Sequence, residues 1–225
     1  MSHPVLLVDD HTLFAQAVQL GLRAAGVPAV PVSPRSAQHV VDAAVATAPA
    51  TVLLDLRLGT GEDGEPIDGL DLVHPLTAAG SRVLVVTAET GDDVWGTAVE
   101  RGAWTVLPKD TDLDALVATV CAVRAGEPVL AEGRRQDLLA AARRARSADD
   151  ARLAPFRRLS RREDEVLRQL AAGTAAAAIA AHFHVSEATV RSQIRAVLTK
   201  LGVSSQLQAA AVARRAGWLD RPLSD

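Results

Sequence analysis

The sequence predicts an α/β unit built on a five-stranded, parallel, doubly wound sheet, followed by an all-α unit of four helices. Three observations predict it. Short apolar runs alternate with helix-length segments five times before residue 125, the pattern of strands covered by helices on both faces. From residue 156 the apolar residues fall instead at helical spacing. Charge divides in the same place: residues 1–130 carry 7 Lys and Arg against 17 Asp and Glu, and residues 156–225 carry 11 against 6. An acidic front and a basic back suggest two domains with different partners, the second suited to a polyanion.

At 225 residues, 48% apolar and 23% charged, the chain has the composition of a globular protein with room for two modest cores. Its single cysteine, Cys121, excludes an internal disulfide and points to a reducing compartment. No apolar run approaches the roughly 20 residues that span a bilayer, and the N-terminus lacks the pattern of a signal peptide. A cytoplasmic protein with no membrane partner is expected.

Val5–Val8 reads as a buried strand ending at Asp9-Asp10. Thr12 is placed to cap the first helix, with Leu13, Phe14, Ala17, Val18, Leu20 and Leu22 as its buried stripe. Gly26 closes it. Val27–Val32, broken by prolines, reads as an edge strand. A helix from Ser36 to Thr47 follows, then Thr51-Val-Leu-Leu, an apolar run that stops abruptly at Asp55. The third helix is expected near Ile67–Ala79, kinked or shortened by Pro75. Val83–Val86 leads to Thr87, a fourth helix spans Asp92–Arg101, and a strand from Trp104 to Leu107 runs to Pro108-Lys109. Leu113–Arg124 is the last helix of this unit. Trp95 and Trp104 read as packing residues, and Cys121 as a core residue.

In such a sheet all carboxyl ends lie on one edge, where ligands bind. Asp9, Asp10, Asp55, Thr87 and Lys109 should therefore converge. Carboxylates so close repel unless a cation joins them, and an all-oxygen set with room for water suits Mg²⁺. One carboxylate can then act as a nucleophile toward phosphorus, while a hydroxyl and an ammonium hold the remaining phosphoryl oxygens. His11 reads as structural, because a hard cation prefers oxygen.

On these residues the first unit resembles the receiver domain of two-component response regulators, a flavodoxin-like fold. The resemblance implies that Asp55 accepts phosphoryl from a sensor histidine kinase, and that Asp9, Asp10, Asp55 and the Arg57 backbone carbonyl bind Mg²⁺. It also implies that Thr87 and Lys109 complete the catalytic set. Three departures stand out. Val106 occupies the place of the family's switching aromatic. The loop after Asp55, Leu58 to Gly69, is several residues long and acidic, and it reads as solvated and mobile. Gly59 stands where proline is expected. Arg57 and Glu89, two positions beyond the acceptor and the hydroxyl, are expected to pair across the pocket mouth.

Residues 129–155 read as a linker: a helix from Glu132 to Arg146 with Leu138, Leu139 and Ala142 on one side, then a flexible Ser147–Asp150. In the second unit Ser160-Arg-Arg-Glu163 is a capping box, and Val166, Leu167 and Leu170 form a stripe that ends at Gly173. Thr174 stands at the start of an alanine-rich helix from Ala175 to His182. His184-Val185 makes a tight turn, and Ser186 caps a helix through Lys200 whose buried face is Val190, Ile194, Val197, Leu198 and Leu201. Gly202 ends it, and a fourth helix carries Leu207, Ala210, Ala211 and Val212. Short helix, turn, longer helix is the helix-turn-helix pattern, whose second helix enters the major groove. Residues 156–220 resemble the LuxR-type DNA-binding domain of the NarL/FixJ class. The resemblance implies double-stranded DNA contacts at Thr189, Val190, Arg191, Gln193 and Lys200, to which Arg195 is added as an exposed residue of the second helix, and a homodimer seam at Leu207 and Ala211. Ala175–Ala178 replaces the family's Ser-Asn-Lys run and removes a phosphate-binding lysine.

The expected organisation is a receiver over residues 1–128, a partly helical linker over 129–155 and a DNA-binding domain over 156–225. The expected function is transcription regulation through phosphorylation of Asp55. A regulator whose receiver responds to a ligand or protein without phosphorylation is the first alternative. A Mg²⁺-dependent phosphatase is a distant one, disfavoured because Arg57 stands where such enzymes need a second aspartate.

Overall fold

The structure, a computed structural model, describes residues 4–221. It divides into two compact units that meet in sequence at Ala145 and Arg146. In the first, β1 (Val5–Val8), β2 (Ala29–Val32), β3 (Thr51–Leu54), β6 (Arg82–Thr87) and β7 (Thr105–Pro108) form a parallel sheet in the order β2-β1-β3-β6-β7. Because β1 lies between β2 and β3, the chain reverses its winding direction there. That switch opens a crevice at the carboxyl ends of β1 and β3.

β1, β3 and most of β6 are buried on both sides, whereas β2 is open at the edge, so alternate residues of the inner strands feed two cores. Leu6, Val8, Val52, Leu54, Val83 and Val85 meet α2 (Ala37–Thr47), α3 (Gly69–Ala78) and α4 (Asp92–Glu100). Val5, Leu7, Leu53, Leu84 and Val86 meet α1 (Thr12–Ala24) and α5 (Leu113–Ala125). Cys121 and Trp104 lie partly buried against the second core, and Trp95 against the first.

Several local expectations are corrected. Thr12 opens α1 and does not cap it; His11 holds the cap position and makes no side-chain cap bond. Only Val18 and Leu22 of the expected stripe are buried, Phe14 is partly so, and Leu13 and Leu20 are 82% and 66% exposed. The helix covers the sheet with a narrower face than its apolar content suggests. The residues after Asp55 form an antiparallel hairpin, β4 (Arg57–Thr60) and β5 (Pro66–Asp68), where a mobile loop was expected. Leu58 and Ile67 anchor it in the core, and Glu62 N–H donates to the Arg35 carbonyl at 2.7 Å. Pro75 lies inside α3, which nevertheless continues to Ala78.

The linker is also more regular than expected. A single helix, α6 (Glu132–Leu153), runs through Ser147–Asp150 without a break. Its first half belongs to the first unit, where Leu138 joins the core.

The second unit holds α7 (Arg161–Ala171), α8 (Ala176–Phe183), α9 (Glu187–Leu201) and α10 (Gln206–Arg215). The Ser160–Glu163 capping box is fully formed. Phe156 stacks on Trp218 with ring centroids 5.1 Å apart, and the indole N–H of Trp218 donates to buried Asp164 at 2.5 Å. Thr174 does not cap α8: the cap position is Ala175, and the Thr174 hydroxyl bonds Gln169. His184 ends α8 in the left-handed region at φ 55°, and Ser186 caps α9 by accepting from Thr189 N–H. Among the described residues no helix is long and apolar enough to cross a membrane.

Candidate functional site

Backbone pairing delivers the pocket. Val8 and Leu54 are neighbours in the ladder, and Asp55 N–H donates to the Val8 carbonyl at 2.9 Å, so Asp9 and Asp55 leave the sheet side by side. Across β6, Lys109 N–H donates to the Thr87 carbonyl at 2.9 Å. Ligand atoms of Asp9, Asp10, His11 and Asp55 all lie within 4.8 Å of one another. The Lys109 ammonium bridges Asp55 Oδ2 at 2.7 Å and Asp9 Oδ2 at 2.9 Å. Asp55 is 3% exposed and Thr87 fully buried.

Burial pushes the Asp55 carboxyl up from its ordinary value; the Lys109 ammonium and the Arg57 backbone hold it down in part. Burial works against the Lys109 charge too, but the hydrogen bonds it donates to Asp55 and Asp9 outweigh that and push the ammonium's pKa up. The two shifts differ in cause: burial dominates at Asp55, and the neighbouring carboxylates dominate at Lys109. Three carboxylates against one ammonium leave the cluster with surplus negative charge. A cation placed there would relieve the same surplus.

His11, read from the sequence as structural, lies against the cluster. Its Nδ1 lies 2.7 Å from Asp10 Oδ1 and 3.2 Å from both Asp9 Oδ1 and Lys109 Nζ. The signal was its place directly after the acidic pair, where the turn into α1 folds it back. Arg57 and Glu89 pair as expected, Nε to Oε1 at 2.5 Å. Glu89 N–H also donates to the Thr87 hydroxyl at 3.1 Å. The hairpin passes close by: a Cβ on Gly59 would stand 3.2 Å from Asp10 Oδ2, and its φ is +68°. A glycine meets both demands. Arg57, whose carbonyl is the expected extra ligand, opens β4 opposite Asp68. Val106 is 5% exposed within the core.

On α9 the exposed residues are Glu187, Ala188, Thr189, Arg191, Ser192, Arg195 and Thr199. Val190 is fully buried. Its expected DNA contact is therefore withdrawn; the side chain belongs to the core with Val166 and Ile179. Gln193 is partly buried, and its side-chain oxygen has no hydrogen-bond partner. Lys200 is held by Glu163 at 2.5 Å, and Arg191 reaches Glu187 at 3.2 Å. Leu207 is 81% exposed and lines a surface groove with Ala211, Val203 and Arg215.

A strand-end acidic pocket on one unit and a helix-turn-helix arrangement on the other are the two parts of a DNA-binding regulator. Residues 5–121 match the family described as "Response regulator receiver domain", and residues 157–213 match "Bacterial regulatory proteins, luxR family". The chain belongs to the response regulators with a LuxR-type output domain, which are transcriptional regulators and not enzymes. It is 31% identical over 207 residues to a nitrate/nitrite response regulator homolog of Haemophilus influenzae, covering 91% of this chain and 93% of that one. It is 32% identical over 216 residues to a probable transcriptional regulatory protein NarL of Mycobacterium tuberculosis, covering 96% and 95%. The Salmonella typhimurium RcsB response regulator shares the fold, with a TM-score of 0.50 at 20% identity over 96% of this chain and 100% of that one. Membership removes the phosphatase alternative.

Proposed function

We propose that this regulator is switched by phosphorylation of Asp55 and then binds double-stranded DNA as a homodimer. The observation that carries the reading is the buried Asp55 carboxylate with the Lys109 ammonium 2.7 Å away and Asp9 beside it. The donor is the phosphohistidine of a sensor kinase. An Asp55 oxygen attacks phosphorus, the P–N bond breaks, and the imidazole leaves with the electron pair and takes up a proton. An acyl phosphate remains on Asp55. Lys109 and Thr87 would hold its oxygens as charge develops.

The donor set fits Mg²⁺: several carboxylate oxygens converge and one acid, Asp10, is exposed enough to keep a water shell. Asp9, Asp10, Asp55 and the Arg57 carbonyl would hold the ion. When bound it supplies the positive charge that lets an anionic donor enter an anionic pocket. In the second unit Thr189, Arg191 and Arg195 would face the DNA major groove, with Gln193 and Lys200 at its margin. Leu207 and Ala211 would form the dimer seam, so the operator would carry two half-sites related by two-fold symmetry. Meeting DNA and a kinase's phosphohistidine, the protein would work in the cytoplasm.

A second reading has one observation in its favour: Val106 lacks the aromatic ring that couples hydroxyl to surface in the family. In that reading the receiver answers to a ligand or protein without phosphorylation. Incubating the full chain with acetyl phosphate and Mg²⁺ decides between them. Wild type should gain the mass of one phosphoryl group and Asp55→Asn none; failure of wild type to gain it favours the second reading.

A further inference from the structure

With no aromatic at position 106, the pocket needs another route to the rest of the chain, and a continuous set of contacts leads from Thr87 to α6. Glu89 is its hub. Its N–H donates to the Thr87 hydroxyl at 3.1 Å, its carboxylate takes Arg57 at 2.5 Å, and its carbonyl accepts the indole N–H of Trp95 at 2.6 Å. Trp95 lies on α4, one turn beyond Asp92 and next to Gly96.

That face of α4 is covered by the first half of α6. Arg134 grips Asp92 with both guanidinium nitrogens, at 2.6 and 2.9 Å, and its guanidinium carbon lies 6.0 Å from the Trp95 ring centroid. Asp92 is held below its ordinary value by this pairing. Leu138 and Ala142, one and two turns beyond Arg134 on the same face, are each 1% exposed. The approach is backbone-close: a Cβ on Gly96 would fall 2.0 Å from the Leu138 carbonyl oxygen. Such a seam leaves no slack, so a shift of Trp95 must be taken up by α6 or resisted.

We propose that Trp95 is the positioning residue that couples the Thr87 hydroxyl to α6, in place of the aromatic missing at position 106. Drawing the hydroxyl toward a phosphoryl group removes the acceptor of Glu89 N–H. The segment between β6 and α4 then moves, the Glu89 carbonyl carries the indole with it, and the grip of α4 on residues 132–145 loosens. Val106 takes no part, having no polar atom to follow the hydroxyl. The inference rests on the phosphorylation reading, and one experiment separates their failures.

Hydrogen–deuterium exchange of residues 132–145 is measured on the full chain with and without acetyl phosphate and Mg²⁺, and intact mass is read on the same samples. In wild type, exchange should accelerate roughly fivefold once the phosphoryl mass appears. Trp95→Phe keeps the ring but lacks the N–H; it should gain the same mass with an acceleration below about twofold. Arg134→Gln, a change at the protein surface, should show raised exchange before any phosphoryl is added. Normal mass gain with unchanged exchange in wild type overturns the coupling alone, as does a Trp95→Phe response equal to wild type. If wild type gains no phosphoryl mass, the phosphorylation reading falls and takes the coupling with it.

Discussion

Glu163 shows how much a single carboxylate can organise. Its Oε2 accepts the Ser160 N–H at 2.6 Å, closing the capping box, and takes the Lys200 ammonium at 2.5 Å. Burial alone would raise its pKa, but Lys200 and Ser160 more than offset that and hold it below its ordinary 4.5. A depressed folded pKa stabilises the protein above the unfolded value, and the stabilisation is lost as pH falls through the folded value. Thermal melts of the full chain, followed by circular dichroism, should therefore show the second unit weakening below about pH 4.5. Glu163→Gln should cost about 1–2 kcal/mol at neutral pH and flatten that acid slope. An unchanged acid slope in the variant would assign the effect to other carboxylates. The Ser-x-x-Glu half of this arrangement is legible in the sequence because it is local. Lys200 is not, because its approach depends on how α7 and α9 cross. Val190 is a different case: helical spacing already put it on the buried face, as the structure has it, and only the family's motif position placed it among the DNA contacts.

At the scale of elements, β1, β3 and β6 were readable because they are buried on both faces and so show as unbroken apolar runs, and β2 was readable as an edge strand from its prolines. The β4–β5 hairpin was not: its strands have four and three residues, and Gly59, Gly61 and Gly64 between apolar Leu58 and Ile67 resemble a loop. Its order comes from two buried anchors that local composition does not announce. The length of α6 was hidden differently, since Ser147–Asp150 has poor helix propensity that the surrounding turns override. Pro75 offers a test of how far context carries an element. It is exposed, so replacing it disturbs no core contact, and Pro75→Ala would supply an N–H for the Asp71 carbonyl one turn earlier. The lost rigidity of the unfolded chain costs up to about 1 kcal/mol, less than the roughly 3 kcal/mol penalty of an interior proline. The variant should melt several degrees higher. A lower midpoint would mean that α3 is built around the ring.

Over the whole molecule the separation of charge matters most for DNA. The acidic receiver, −10 over residues 1–130, cannot assist binding to phosphate, and the +5 of residues 156–225 must do the work. The anions already counted in that net figure engage two of the 11 cations directly: Glu163 holds Lys200 and Glu187 holds Arg191. The alanines of α8 subtract more, because Ala177 and Ala178 are exposed where the family carries its polar run with a lysine. Phosphate contacts supply affinity in proportion to the counterions they release, and each contact shows as a slope of about −0.9 in log affinity against log salt. Ala177→Lys should therefore steepen the slope of the full chain by about 0.9 per protomer and tighten binding at low salt, on specific and unrelated DNA alike. Phosphate contacts carry no sequence information, so the ratio between the two DNAs should stay constant. Fluorescence anisotropy across a salt series measures both quantities. An unchanged slope would show that α8 does not face the backbone, and that α9 meets DNA in an orientation other than the one proposed.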